Sequence, residues 1–589
     1  MFNISEASSP LEHDALKTEH LEERFGTKDR ELSPNRPYSS LPSPQPLLGK
    51  RGFLKQNIKT WTDGEILLEA PLHVYPDEGP LEPLQMSTTD DFNFNVDGSS
   101  EHEIVFERAS ATDSNPWYEC KSIQDDILQF ESRFESGCLD KAVRISRFEY
   151  ALTIHGDPGS DRKWAQWFYF SIKNARPDVE YTFHLMHFNK GDSLFGKGCM
   201  PLMSSSKSER GWSRIGSNIS YYQNSSKKYT LTFSFQLDSK YRKETHYFAA
   251  CYPYRYSDLQ SYLDELESDP IRSSRVKRRT LCRTLAGNQC DLLTITSFGS
   301  GNDGSLEKRR GVLLSARVHP GESNASWMMK GVIDFLTGPS LDAKLLRDNF
   351  VFKIVPMLNP DGVISGRARA SHAGVDLNRM YIEPDKKFHP TIWHLKRLLQ
   401  GFTSDRDVLL YCDFHGHSRK HNVFMYGCLE GKQLDKNSSE NENDEVSREE
   451  QVDETFEDVP ESKKIKIKKK KRVKRKNGRK TKKRVKEVKE FTKDVTLFPQ
   501  LLQISTSLFS FSDCSFRVQK SKESTGRVNV YRESDGEILS YTLEASLGGM
   551  DVGPLKGNHL NYNHFEQMGH AFCDALLEYL VEEQKSLLK

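Results

Sequence analysis

The chain has 589 residues, and 84 Lys or Arg stand against 83 Asp or Glu, a formal net charge of +1. It is 36% hydrophobic and 11% aromatic, which excludes a wholly disordered chain. No run of about 18 uncharged apolar residues occurs, which excludes a membrane-spanning helix. The ten cysteines form no Cys-x-x-Cys pair and the N-terminus has no apolar stretch, so reduced thiols are expected rather than a secreted disulfide framework.

Taken in order, residues 1–50 are rich in Ser, Pro, Glu and Lys and read as a disordered tail. Residues 51–125 carry short apolar pieces among many turn formers, and no fold is assigned to them. Within 126–265 the texture becomes β. Phe148–Ile154, Trp164–Ile172, Tyr181–Phe188, Tyr229–Phe235 and Tyr247–Tyr252 are short aromatic and β-branched runs, separated by turn signals such as Asp157-Pro-Gly159. That spacing predicts an antiparallel β-sandwich.

Residues 266–589 alternate apolar strands with helices. Asp291–Ser297, Gly311–Val318, Phe350–Met357 and Val408–Phe414 read as buried strands. Ser326–Leu336, Pro390–Gln400 and His564–Glu582 read as helices. The alternation predicts an α/β sheet covered on both faces. Residues 431–490 interrupt it. Ser438–Glu461 holds eleven Asp or Glu, and Lys463–Lys489 holds eighteen Lys or Arg; this composition predicts a solvated, disordered insertion in a surface loop.

The chemistry gathers at strand ends. Gly311–Val318 runs into His319-Pro-Gly-Glu322, and the C-terminal edge of an open α/β sheet is where ligands bind. A His and a carboxylate three residues apart can reach one zinc ion. Spacing alone is weak evidence, because His20 and Glu23 repeat it in the tail. A catalytic zinc needs a third protein ligand, and Val408–Phe414 ends in Asp413-Phe-His415-Gly-His417; spacing leaves both His415 and His417 open. Arg367, Arg369, Asn378 and Arg379 lie on a loop, and guanidinium groups suit bidentate capture of a carboxylate. Glu544, within the apolar run Ser540-Tyr-Thr-Leu-Glu544, is costly unless paired or near a metal, which marks it as a general base.

Arg317-Val-His-Pro-Gly-Glu322, Leu358-Asn-Pro-Asp-Gly362, Asp376-Leu-Asn-Arg379, Phe414-His-Gly-His417 and Tyr541-Thr-Leu-Glu544 occur in that order. Together they resemble the zinc metallocarboxypeptidases, in the cytosolic carboxypeptidase branch. Phe130-Glu-Ser-Arg-Phe-Glu-Ser-Gly137, Trp167-Phe-Tyr-Phe170 and Cys251-Tyr-Pro-Tyr254 are similar to that branch's N-terminal β-sandwich. Phe424-Met-Tyr-Gly427, Ser524-Thr-Gly-Arg-Val528 and Asp376-Leu-Asn-Arg-Met-Tyr381 are most similar to its type 5 members. The resemblance covers about residues 130–430 and 495–585.

The resemblance implies a mixed-sheet α/β zinc carboxypeptidase domain behind the sandwich, with one Zn2+ per catalytic domain. It implies His319, Glu322 and His415 as zinc ligands and Glu544 as the catalytic glutamate. Arg369 would polarise the scissile carbonyl, and Asn378 and Arg379 would hold the terminal carboxylate. It implies removal of C-terminal or side-chain-linked glutamates, the branch-point glutamate included, from tubulin tails on microtubules and from other glutamylated proteins. The expected setting is the cytoplasm, with the cytoskeleton or cilium. An acidic substrate side chain beside the zinc needs its own cation, and Arg527 is assigned to it, with Arg367 next in line. Tyr531 is expected to close over the substrate, as a tyrosine does in related carboxypeptidases. Two readings of other classes stand beside this one. One is a catalytically weak binder of glutamylated tails. The other is a nuclear or nucleic-acid-associated protein acting through Lys463–Lys489, since Lys-rich runs bind phosphates without sequence preference.

Overall fold

A computed structural model describes residues 103–108, most of 118–429 and 494–587. The tail at 1–50 and the charged insertion at 431–490 lie outside the described residues, as does nearly all of the segment at 51–125.

The N-terminal domain is a two-sheet sandwich. Six strands run in the order Glu103–Glu107, Lys141–Ser146, Glu149–Thr153, Glu180–Phe188, Tyr229–Gln236 and Ser217–Gln223. Five run in the order Gln129–Glu131, Tyr169–Lys173, His246–Ala249, Leu202–Ser205 and Ser213–Arg214. Alternation along each strand sends aromatic rings into the gap between the sheets. Phe183 meets Phe235 at 4.8 Å, and Phe170 stacks on Phe248 at 5.4 Å. Two details differ from the sequence reading. Glu103–Glu107, in the segment given no fold, is an edge strand of the larger sheet. One pair, Glu149–Thr153 with Glu180–Phe188, is parallel. The chain between them crosses to the other sheet as Tyr169–Lys173 before it returns, which is what a parallel pair requires.

Behind the sandwich, the helix Tyr256–Ser268 leads into a mixed eight-stranded sheet. Its order is Val276–Arg283, Gln289–Ile295, Phe350–Val355, Arg310–Ala316, Val408–His417, Leu539–Ser546, Val423–Leu429 and Ser515–Arg517. The four central strands, from Phe350–Val355 to Leu539–Ser546, are parallel to one another. Both faces are covered, as the alternation of elements predicts. Val312, Leu314 and Ala316 point into one core with the helices Ser323–Thr337 and Tyr562–Leu587, and Leu313 points into another with Pro390–Asp405. The first core is continuous with the core of the sandwich, so the two domains share their apolar interior.

The helices Ser323–Thr337 and Tyr562–Leu587 cross at glycines. A Cβ on Gly331 would stand 2.1 Å from the Glu566 carbonyl oxygen, and one on Gly569 2.1 Å from that of Met328. Beside this crossing, Lys330 is 5% exposed and pairs with Asp334 at 2.7 Å and Glu566 at 2.9 Å. Removing one member of such a buried set leaves an uncompensated charge, at a cost of about 3–5 kcal/mol.

Further along the last helix, burial pushes the Asp574 carboxyl up to about 6, and Asp342 and Glu578 add to the push. A carboxyl whose pKa rises on folding supports the fold only while protonated, and that support is lost as pH rises from the ordinary Asp range through about 6. Asp574→Asn is therefore expected to stabilise the protein at pH 7.5 by about 1–2 kcal/mol, after allowance for partial exposure, and to do nothing at pH 4. Urea unfolding at the two pH values checks this; an equal gain at both would reject it.

Candidate active site

The strand Arg310–Ala316 ends in a backbone turn held from within. Arg317 adopts φ +60° although it is not glycine, a conformation that costs free energy and clusters at functional sites. Its buried guanidinium donates to the Pro320 carbonyl at 2.7 Å, the Tyr254 carbonyl at 2.9 Å and the Ser326 hydroxyl at 2.9 Å. The turn presents His319 and then Glu322, which immediately precedes the helix Ser323–Thr337.

His415 comes from the neighbouring parallel strand. His319 Nδ1 lies 2.8 Å from one Glu322 oxygen, and His415 Nδ1 lies 3.0 Å from the other. Each far ring nitrogen faces a carboxylate: His319 Nε2 lies 3.1 Å from Asp376, and His415 Nε2 lies 2.8 Å from Asp413. Such outer partners fix the tautomer, leaving the Nδ1 lone pairs for a metal. Asp413 is itself held by the Ser315 hydroxyl at 2.7 Å. The three donors lie within 4.8 Å of one another. Two imidazoles and one carboxylate form a catalytic zinc donor set, so the residues fit that metal. The electrostatics agree. Burial resists charge on His415, but Asp413 and Glu322 outweigh it and raise its pKa well above the ordinary value. Burial likewise resists ionisation of Glu322, yet His319 and His415 hold it well below the ordinary range. The site is built around positive charge.

Gly416 shows how closely these elements approach. A Cβ there would stand 2.3 Å from Asn324 Oδ1, and the Gly416 amide donates to Glu322 at 3.0 Å. His417 is close by but turned elsewhere. Its Nδ1 accepts the Lys420 amide at 2.9 Å, and its ring meets Phe424 at 5.4 Å. Burial, then Arg419, Lys420 and Lys190, push its pKa down to about 3. Geometry thus separates the two histidines that spacing leaves open.

Glu544 pairs in register with His415 across parallel strands. Its carboxylate makes no hydrogen bond or ion pair among the described residues. Burial pushes its pKa up, His415 pulls it down and Glu322 adds to the push. Arg369 binds Asp376 through Nε at 2.7 Å and is 22% exposed. Arg379 is 30% exposed, and its Nη1 donates to the Asn378 carbonyl at 3.1 Å. Asn378 Nδ2 lies 3.5 Å from His415 Nε2, and its Oδ1 accepts the Gly526 amide at 3.1 Å. These residues therefore gather around the metal donors.

Arg527 and Tyr531 lie on a helix, Gly526–Glu533, packed against the Glu544 strand. Arg527 is 6% exposed, its Nη1 donates to the Gly427 carbonyl and lies 3.3 Å from Cys428 Sγ, and its guanidinium is 5.8 Å from the Tyr426 ring. It has no carboxylate partner among the described residues. Tyr531 stands further along the same helix, with its ring beside Gly536 in the turn that follows. Arg367 donates to the Ser371 carbonyl.

Sequence reasoning missed four participants. Asp376 and Asp413 stand inside recognised motifs, and only the fold shows which imidazole each orients. Asp157 and Lys190 come from the sandwich. Asp157 binds the backbone of the Arg369 loop. Lys190 is acted on, beyond burial, by Arg369, Arg419, Glu322 and Lys522, and its pKa is pushed down to about 7.

Residues 259–546 match the zinc carboxypeptidase family, and residues 130–250 match the cytosolic carboxypeptidase N-terminal domain. Mouse cytosolic carboxypeptidase 3 is 41% identical over 465 residues, covering 77% of this chain and 40% of that protein. Cytosolic carboxypeptidase 2 of Xenopus tropicalis is 42% identical over 463 residues, covering 77% and 42%. The human cytosolic carboxypeptidase 2 is 40% identical over 471 residues, covering 78% and 45%. The chain thus spans less than half the length of these curated relatives. These relatives are of types 2 and 3. Among solved structures, a metallo-carboxypeptidase from Burkholderia cenocepacia aligns with a TM-score of 0.56 at 20% identity, covering 77% of this chain and 99% of that one. One from Pseudomonas aeruginosa aligns with a TM-score of 0.55 at 19% identity, covering 77% and 99%. These two share the fold.

Proposed function

This chain belongs to the zinc carboxypeptidase family, with the cytosolic carboxypeptidase N-terminal domain ahead of its catalytic domain, and from that premise we propose that it is a zinc-dependent carboxypeptidase removing glutamates from polyglutamylated proteins. We assign to it tubulin tails on microtubules as substrates, C-terminal and side-chain-linked glutamates, the branch-point residue included, as the groups removed, and the cytoplasm as its setting. The observation that carries the reading is the convergence of His319, Glu322 and His415 beside a Glu544 that has no partner of its own among the described residues.

His319, Glu322 and His415 would hold the zinc, which when bound supplies Lewis acidity toward the scissile carbonyl and lowers the pKa of the attacking water toward about 7. Glu544 takes a proton from that water on a carboxylate oxygen and delivers it to the leaving nitrogen. Arg369, oriented by Asp376, donates toward the developing oxyanion. Asn378 and Arg379 bind the free carboxylate at the chain end, which restricts cleavage to the terminal residue.

Support for an acidic side chain comes from the cations. Lys190 makes no ion pair among the described residues, and three other cations act on it. Arg527 is buried without a carboxylate, an arrangement that an anionic side chain of the substrate would relieve. Arg527→Leu is expected to lower turnover of C-terminal glutamate by about 10²-fold, the scale of a charged hydrogen-bond pair, and to narrow the preference for glutamate over leucine. Paired glutamate and leucine peptides check this; an unchanged ratio rejects Arg527 and makes Lys190 the next residue to substitute. The function as a whole is tested by mass spectrometry of linear and branched glutamylated peptides incubated with the zinc-loaded protein. Release of leucine in preference to glutamate would overturn the substrate class, and no release from any peptide would overturn the activity.

A further inference from the structure

Three successive amides of the loop that carries Arg369 end on one carboxylate, and that carboxylate belongs to the other domain. Asp157 Oδ1 accepts the Ala368 amide at 2.8 Å. Its Oδ2 accepts the Arg369 amide at 2.7 Å and the Ala370 amide at 2.6 Å. Asp157 is 1% exposed, and its own amide donates to the Trp164 carbonyl at 3.0 Å, so the sandwich fixes it. Burial pushes its pKa up on balance, and the three amides oppose that rise. Consecutive amides aimed at one anion form a concave nest, and bonds to an ionised acceptor are the stronger kind.

The other side of the same three residues is tied to the zinc turn. The Ala368 carbonyl accepts the Gly321 amide at 2.9 Å. Asn359 Nδ2 donates to the Ala370 carbonyl at 3.3 Å and to the Val318 carbonyl at 3.2 Å. Gly321 and Val318 flank His319 in the chain. The Arg369 side chain in turn meets Asp376, whose other oxygen faces His319. The segment 368–370 is thus clamped between Asp157 and the turn that presents the metal ligands. Ser136 also binds this region, but at the Val363 and Ile364 carbonyls, before the arginine.

We propose that Asp157 is a positioning residue of the active site, through which the sandwich domain sets the backbone from which Arg369 reaches the scissile carbonyl. The inference rests on the carboxypeptidase reading above. An asparagine in its place keeps the size but has one acceptor oxygen, and its amino group would face a backbone amide. A displacement of about 1 Å at a catalytic group can cost about 10²-fold in rate.

The test compares wild type with Asp157→Asn on a glutamate peptide, with zinc content measured on both. The expected result is a fall in kcat of about 10–10²-fold with KM changed by less than about threefold and zinc retained. Deuterium exchange at the amides of 368–370 should speed up, a readout independent of activity. In an Arg369→Lys background, the effect of Asp157→Asn on kcat should shrink to less than about threefold, since a residue acting through Arg369 has little left to position. Unchanged kcat, unchanged exchange, or full multiplication of the two effects would overturn the proposal. An inactive wild type would sink the carboxypeptidase reading instead, while the exchange result would still report on Asp157. Should Asp157→Asn fail to fold, Asp157→Glu keeps the charge but shifts it by a methylene. The same fall in kcat is expected there, and wild-type kcat would overturn the proposal.

Discussion

Glu544→Gln is expected to abolish hydrolysis while leaving zinc and fold in place. The substitution is nearly isosteric and removes only the ability to take a proton. Glu544 lies on an interior strand of the sheet and makes no hydrogen bond or ion pair among the described residues, so its charge supports nothing structural that the change would break. General-base catalysis contributes about 10²–10⁴-fold, and that is the loss to be read on a glutamate peptide. Burial makes the neutral glutamine the less costly occupant of this strand, so the thermal midpoint should hold or rise while turnover disappears. Activity within a few-fold of wild type would remove Glu544 from the mechanism.

The second large effect separates two histidines two residues apart. His415→Ala should release zinc, and His417→Ala should keep most of it. His415 Nδ1 faces Glu322 at 3.0 Å, and its far nitrogen is held by Asp413 at 2.8 Å. Losing an outer partner of a ligating histidine typically costs about 10–100-fold in metal affinity, and losing the ligand itself costs more. His417 spends its Nδ1 on the Lys420 amide, so its removal loosens the 418–420 loop rather than the donor set. Metal content by elemental analysis after dialysis against a weak chelator distinguishes them. The reverse pattern would make His417 the third ligand in place of His415.

Much of the site was legible because its chemistry is local in sequence. His319 and Glu322 share one turn, and His415 directly follows the apolar run Val408–Phe414. The strands of the central sheet were legible for the same reason, since burial on both faces writes continuous apolar runs. What escaped lies where the physical signal is absent or non-local. Val276–Arg283 carries Lys277, Arg278 and Arg279 because it is an edge strand, where charge protects against unwanted pairing, so it does not read as a strand. Gly526–Glu533 contains Val528 and Val530 after a glycine and has little amphipathic contrast, so its helix is set by tertiary packing. Asp157 read only as part of a turn signal, because the amides that it binds are more than two hundred residues away. The second face of Asp376 was hidden likewise, since the sequence shows a motif but not which imidazole the carboxylate will meet.

The register that sets Glu544 beside His415 has a consequence for how activity can be lost. Side chains alternate faces along a strand, so a slip of one residue between these two strands would send one of the pair to the far side of the sheet. No intermediate slip is available, because the ladder of hydrogen bonds advances in whole residues. The site therefore behaves as a combination lock with a single setting. A molecule whose central strands are paired otherwise has no base opposite its metal, so an error of register silences the site rather than slowing it.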